Sequence, residues 1–209
     1  MFKLKTIDNF LKLDDLNFLS KIKLDNIEKN NVKVYHNTID KNGNINSSCI
    51  DENKIKTLQD NYHSKAIQIL EELCPEKIKL YDYSEFHVVK SGSEYKFPIH
   101  DDMPSKLLSG VIYLQPENNK GTVFYENKNG KGKNEIEWQI NRAVFFSRSE
   151  RETWHSFESD GVNDRLVLVY NLMTYNIKQV YKIENKSFLF GKIRSILNPY
   201  LHRYFNKVI

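Results

Sequence analysis

The sequence predicts a mostly β domain, a sandwich or barrel, with α-helices flanking it. Three observations carry that prediction. Beyond Lys79 the chain breaks into short β-forming runs at 81–90, 96–101, 108–114, 122–126, 135–140, 143–147, 154–157 and 165–171. Turn residues separate them, at Ser91-Gly92, Pro116-Glu117-Asn118, Asn129-Gly130-Lys131-Gly132 and Asp160-Gly161; short strands spaced in this way pack as two sheets or close on themselves. Before Lys79, by contrast, the clearest periodicity is helical. With 209 residues, 12 of them Phe and 12 Tyr, one domain can bury roughly 70% of the surface of its unfolded chain.

Taken in order, residues 1–30 carry Phe10, Leu11, Leu13, Leu16, Phe18, Leu19 and Ile22, with Asp8 or Asp15 as a cap, and read as short helices. Residues 32–39 alternate as one strand, closed by the turn Asn42-Gly43-Asn44. Over 52–74 the spacing of Ile55, Leu58, Tyr62, Ala66, Ile67, Ile69 and Leu70 gives an amphipathic helix that Pro75 stops. His36 and His63 lie on these elements without partners at ligand spacing, so both read as packing or surface residues. The stretch from Ser187 to Ile209 is apolar and aromatic on one side and basic on the other, a helix expected to pack on its own domain. The chain thus divides into a largely helical support at 1–79, a β core at 80–175 and a helical tail at 176–209.

The net charge of +4, from 31 basic and 27 acidic residues spread along the chain, marks out no nucleic-acid or membrane partner. Oligomeric state leaves no trace in the pattern. Cys49 and Cys74 form neither a Cys-x-x-Cys pair nor a disulfide framework, which fits a reducing compartment. Charge interrupts the N-terminal residues, and no run approaches the ~20 apolar residues of a membrane span. The expectation is a cytoplasmic protein.

The chemistry concentrates in four residues. In an extended strand side chains alternate, so His100 and Asp102 share a face while Asp101 points away. Joined by His155, they supply the two imidazoles and one carboxylate that suit a non-haem Fe(II) with open positions. Arg165 follows His155 by ten residues, inside the run Leu166-Val167-Leu168-Val169, where an unpaired guanidinium would be costly. It offers a fixed cation to a dicarboxylic cosubstrate. If the strands around Asp160-Gly161 pair as a hairpin, His155 and Arg165 lie opposite each other on one face. The blander reading pairs Arg165 with Asp164 or Glu158 and leaves His155 in an aromatic cluster with Trp154 and Phe157. Two other readings stay open: a cupin-type metalloprotein holding Zn, Mn or Ni, and a degenerate β-helix that only binds.

Over 80–175 the chain resembles the Fe(II)- and 2-oxoglutarate-dependent oxygenases, in their prolyl-hydroxylase-like branch. The carriers are Phe97-Pro98-Ile99-His100-Asp101-Asp102, Leu108-Ser109-Gly110-Val111-Ile112-Tyr113-Leu114, Gly121-Thr122-Val123-Phe124-Tyr125, Arg142-Ala143-Val144-Phe145-Phe146, Trp154-His155-Ser156-Phe157 and Arg165-Leu166-Val167-Leu168. The resemblance implies a double-stranded β-helix of the jelly-roll, cupin-like kind. It implies His100, Asp102 and His155 as iron ligands, Arg165 as anchor of the cosubstrate's distal carboxylate, and Tyr113 as a phenol bonded to the same group. Fe(II), 2-oxoglutarate and O2, with ascorbate as an accessory reductant, are the implied cofactors, and a small-molecule or peptidyl substrate the implied partner. Asp102 favours hydroxylation over halogenation, since halogenating relatives lack that carboxylate. No second arginine follows Arg165 in its strand, unlike the nucleic-acid demethylating relatives. Lys120-Gly121 stands where the family often has Gly-Gly, and Asn141 where it often has Gly, a position Asn tolerates at positive φ. Near the expected mouth, Lys106, Arg148 and Arg151 read as solvated or as contacts to an acidic group.

Overall fold

The computed structural model describes residues 3–193, 196 and 197. The chain opens with β1 (Lys5–Ile7), α1 (Leu13–Ser20), β2 (Val32–Tyr35), β3 (Thr38–Asp40), β4 (Ile45–Asn46) and α2 (Glu52–Leu73). A 3-10 turn at Pro75–Leu80 leads to β5 (Tyr83–Ser91), β6 (Lys96–His100), β7 (Lys106–Gln115), β8 (Val123–Tyr125) and β9 (Asn134–Glu135). β10 (Ala143–Phe146), β11 (Trp154–Glu158), β12 (Arg165–Met173) and α3 (Ile177–Ile183) complete it. The strands form two antiparallel sheets. The larger runs β1-β10-β7-β12-β5-β3-β4 with β2 also on β5, and the smaller runs β6-β11-β8-β9.

Each face of the large sheet has its own task, set by alternation along the strands. Phe86, Val88, Leu108, Ile112, Leu168, Tyr170 and Leu172 point to one side and bury against Ile55, Leu58, Tyr62, Ala66, Ile69 and Leu70 of α2. Asp51 caps that helix, its side chain accepting the Lys54 N–H at 2.9 Å. The opposite face looks toward the small sheet. There Val144 and Phe146 meet Phe124, and Tyr113 and Val167 meet Val89 and Trp138. β12 lies between β5 and β7 and is covered on both sides, which explains its unbroken apolar run.

Several expectations need correction. No hairpin joins His155 to Arg165: β11 pairs with β6 and β8, while β12 pairs with β5 and β7 in the other sheet. Asp160 does make a turn, accepting the Val162 and Asn163 N–H groups at 2.8 Å. Yet Ser159 and Gly161 donate their N–H groups to Tyr95 and Ser93, so the connection is tied to the β5–β6 turn and crosses between layers. The strand expected over 32–39 breaks at His36 and Asn37. Buried Asn37 replaces the ladder there, donating to the Tyr35 and Phe86 carbonyls and accepting the Ser48, Cys49 and Ile50 N–H groups. Of the run at 135–140 only Glu135 is strand, joined to Asn134 in β9; Trp138 turns inward and donates Nε1–H to the Pro116 carbonyl at 2.9 Å.

At the N-terminus, β1 is a strand where short helices were expected, and α1 starts after Lys12, not at an aspartate cap. Asp15 is instead buried beneath Lys54 and Tyr62, 2.5 Å from each. Asn141 does take a positive φ of 64°, and its side chain bonds both the N–H and the carbonyl of Leu11. Of the amphipathic tail, residues 188–193 are helical, whereas 194, 195 and 198–209 lie outside the described residues. Leu189, Phe190 and Ile193 are exposed there.

Candidate metal centre

β6 and β11 are neighbours in a register that sets His100 opposite His155, and their rings lie 4.2 Å apart. β6 ends at His100, so Asp102 stands in the loop beyond it, not on the strand as alternation would have it. Two groups of the segment that follows draw its carboxylate back to the histidines: Ser109 Oγ–H donates at 2.6 Å and Lys106 Nζ at 2.7 Å. One donor atom from each of His100, Asp102 and His155 then lies within 4.8 Å of the others, the only such group among the described residues.

The donors are in the protonation states a metal needs. His100 Nδ1 lies 2.9 Å from the Pro98 carbonyl and His155 Nδ1 2.9 Å from the Thr153 carbonyl. A carbonyl only accepts, so each Nδ1 carries the proton and each Nε2 keeps a lone pair. Burial, with His155 alongside, pushes His100 down to about 3, and burial lowers His155 too. Burial alone would raise Asp102, but the charge and hydrogen bond of Lys106 act against it, and the carboxyl is held well below its usual range. Aromatic rings wall the site. Phe97 meets His100 edge-on at 4.4 Å, and Phe146 meets His155 at 4.9 Å.

Asp101, in the same loop, faces away from the two histidines. It accepts from Thr153 Oγ1 and the Arg151 N–H, both at 2.7 Å, and burial pushes it up to about 6. Arg148 is not a solvated mouth residue. Only 1% exposed, it pairs with Glu150 and, at 2.6 Å, with Glu184. Its Nε donates to the Asp102 carbonyl at 3.1 Å. Lys106 does meet an acidic group, but that group is Asp102.

Arg165 lies at the start of β12, 1% exposed. Phe157, Trp138 and Tyr113 surround its guanidinium at 4.5, 5.2 and 5.7 Å. Among the described residues it has no ion-pair partner, and its Nε has no hydrogen bond. The bland reading fails here: Asp164 pairs with Lys90 at 3.5 Å, and Glu158 with Lys96 and Lys120. Desolvation brings the guanidinium down to about 10. Directly across the β5–β12 ladder sits Ser91, whose buried Oγ also lacks a partner. Tyr113 donates its hydroxyl to Thr122 Oγ1 at 3.2 Å and accepts the Thr122 N–H at 2.8 Å, so its ring reaches Arg165 while its hydroxyl is anchored on Thr122. Ser91, Trp138 and Ser109 escaped the sequence reading, for nothing in their local spacing marks them. Only strand pairing brings them here. His36 also gains a partner, His87, with ring nitrogens 3.3 Å apart, while His63 packs on Tyr81.

No family model matches the sequence, and no curated protein matches it. Solved structures do. A Pseudomonas putida prolyl-4-hydroxylase superposes with a TM-score of 0.56 at 14% identity, over 84% of this chain and 95% of that one. An oxidoreductase of the 2OG-Fe(II) oxygenase family from Burkholderia pseudomallei gives 0.58 at 12% identity, over 83% and 85%. A Trichoplax adhaerens prolyl hydroxylase, in complex with a hypoxia inducible factor peptide fragment, gives 0.55 at 15%, over 85% and 86%. Likeness at such identities speaks to architecture, and on that ground the chain has the double-stranded β-helix fold that these structures share.

Proposed function

We propose that this protein is an Fe(II)- and 2-oxoglutarate-dependent dioxygenase that hydroxylates an aliphatic C–H of a small-molecule or peptidyl substrate. The observation that carries this reading is the combination of a neutral two-histidine, one-carboxylate cluster with a buried guanidinium that has no anion of its own. Neither half is explained by packing. His100, Asp102 and His155 would hold the metal on one side and leave positions open on the other. Bound iron would supply O2 activation coupled to breakdown of the keto acid to succinate and CO2.

The chain's own residues do the rest. The Pro98 and Thr153 carbonyls keep both imidazoles in the ligating tautomer. Arg165 would take the distal carboxylate of the cosubstrate, with Ser91 Oγ donating beside it; the Tyr113 hydroxyl can join them by turning its hydrogen away from Thr122 Oγ1. Phe97, Phe124, Phe146 and Phe157 exclude water from the space between. No helix among the described residues is long and apolar enough to cross a membrane, and the free thiols of Cys49 and Cys74 fit a cytoplasmic setting.

Anaerobic addition of Fe(II) and 2-oxoglutarate should give the weak visible charge-transfer band of the chelate, and His155→Ala should abolish it. Absence of the band with iron demonstrably bound would overturn the assignment. Succinate release across a metabolite and peptide panel would then identify the substrate.

A further inference from the structure

Beside the metal centre, the inner face of the large sheet carries a polar row that the proposed chemistry leaves unused. Ser109 of β7, Asn171 of β12 and Glu85 of β5 are consecutive cross-strand partners, and their side chains project from the face opposite α2. Ser109 is bonded to Asp102, so the row begins at the metal cluster. Cross-strand neighbours stand about 5 Å apart at Cβ, which puts Glu85 roughly 10 Å from Ser109. That is the distance of a few bonds from a carbon held over the metal.

Glu85 is oriented for recognition. Asn171 Nδ2–H donates to its Oε2 at 2.8 Å, and His87 Nε2 lies 3.5 Å from the same oxygen. Its other oxygen has no hydrogen bond among the described residues. His87 Nδ1 accepts the Asn37 N–H at 3.2 Å, and its Nε2 lies 3.3 Å from His36 Nδ1 as well as facing Glu85. Lys106, whose charge is felt at Glu85, is itself bonded to Asp102 at 2.7 Å. Desolvation would raise Glu85, but its contacts with His87 and Asn171 and the field of Lys106 outweigh it and favour the carboxylate, whose side chain is only 13% exposed and keeps one oxygen open to a further donor. Asn171, 1% exposed, turns its amide N–H to Glu85 and so leaves its own buried Oδ1 without a donor. Flipping the amide would set oxygen against oxygen. Every unfilled valence in the row asks for N–H.

We infer that the row receives an alkylammonium group of the substrate, paired with Glu85 and bonded by Asn171, a few bonds from the carbon that is oxidised. The word substrate rests on the oxygenase reading; the cation site does not. A charge-assisted contact in so dry a place should be worth tenfold or more in affinity.

The test uses the whole protein under anaerobic conditions with Fe(II) and 2-oxoglutarate, and calorimetry with paired probes: L-lysine against L-norleucine, and N-acetyl-lysine methylamide against N-acetyl-norleucine methylamide. At least one lysine probe should bind tenfold or more above its neutral twin, and Glu85→Gln should erase that preference. Preference confined to the free amino acid points to a metabolite, and preference for the blocked one to a peptide. Equal binding within both pairs overturns the inference, as does a preference that survives Glu85→Gln. Wild-type pairs decide alone should the variant fail to fold by circular dichroism. The chelate band in the same sample separates the two readings. Band without preference removes the cation site only, and preference without band removes the oxygenase reading only.

Discussion

Replacing Arg165 with Met should make the protein without cosubstrate more stable, although it deletes a fully buried side chain. Burial brings the guanidinium down to about 10; at about 1.4 kcal/mol per pH unit, holding it charged at neutral pH costs on the order of 3 kcal/mol. The rings of Phe157, Trp138 and Tyr113 return roughly 1–2 kcal/mol of that as cation–π attraction. Met fills similar volume with no charge to desolvate, so a net gain of about 1–2 kcal/mol remains. For a chain of this length that is a rise in Tm of about 2–8 °C. Thermal unfolding followed by circular dichroism measures it. The same variant should lose the stabilisation that 2-oxoglutarate gives the parent, about 2.7 kcal/mol at a ligand concentration 100 times Kd. A fall of 2 kcal/mol or more in the unliganded variant would refute the reasoning, since it would mean that the guanidinium already has its anion and serves the fold.

Arg148→Met acts in the opposite sense. It removes one partner of the buried pairs with Glu150 and Glu184, which costs about 3–5 kcal/mol and should lower Tm by 6 °C or more in the same scan. Asp15 is held below its ordinary value because the bonds from Lys54, Tyr62 and Asn61 outweigh the desolvation that would raise it. Its contribution is therefore present above the unfolded carboxyl pKa and lost as pH falls through the folded one, so Asp15→Asn should flatten the decline of Tm below about pH 4. Gly121→Ala would place a Cβ 1.6 Å from the Ile136 carbonyl oxygen and should destabilise by about 3 kcal/mol or more, seen as a lower urea midpoint.

What the sequence disclosed, and what it concealed, divides by the range of the interactions involved. α2 was legible because its apolar stripe is a local property: a 3.6 period stopped by a proline. The strands from β5 to β12 were legible for the same reason, except where Trp138 turns inward, and Asn37 likewise overrides the ladder in the strand expected over 32–39. His100, Asp102 and His155 could be singled out by residue type and order. Their pairing could not, because β11 was assigned to a hairpin on the strength of Asp160-Gly161, a turn that exists but connects different sheets. Local turn chemistry fixes that the chain bends; which strand it meets next is decided by N–H groups of Ser159 and Gly161 reaching Tyr95 and Ser93. Arg148 was misjudged on similar grounds. Glu150 stands two residues away in the sequence, but the burial of the pair depends on Glu184 of the distant α3 region, which local spacing does not bring to it.

The three candidate metal donors are therefore secured by different means. His100 and His155 are locked by strand register and by backbone carbonyls two residues away, ties that every residue type at those positions would supply. Asp102 has no strand to hold it. Its carboxylate is placed by Ser109 and Lys106, and its carbonyl by Arg148. Arg148 is fixed in turn by Glu184, which Lys77 also grips at 2.7 Å. The loop thus gets from buried charges what the strands get from their hydrogen-bond ladder, and this explains why charged residues so far from the metal are almost wholly withdrawn from water. Lys106 belongs to the same set: it balances the Asp102 charge in a dry site.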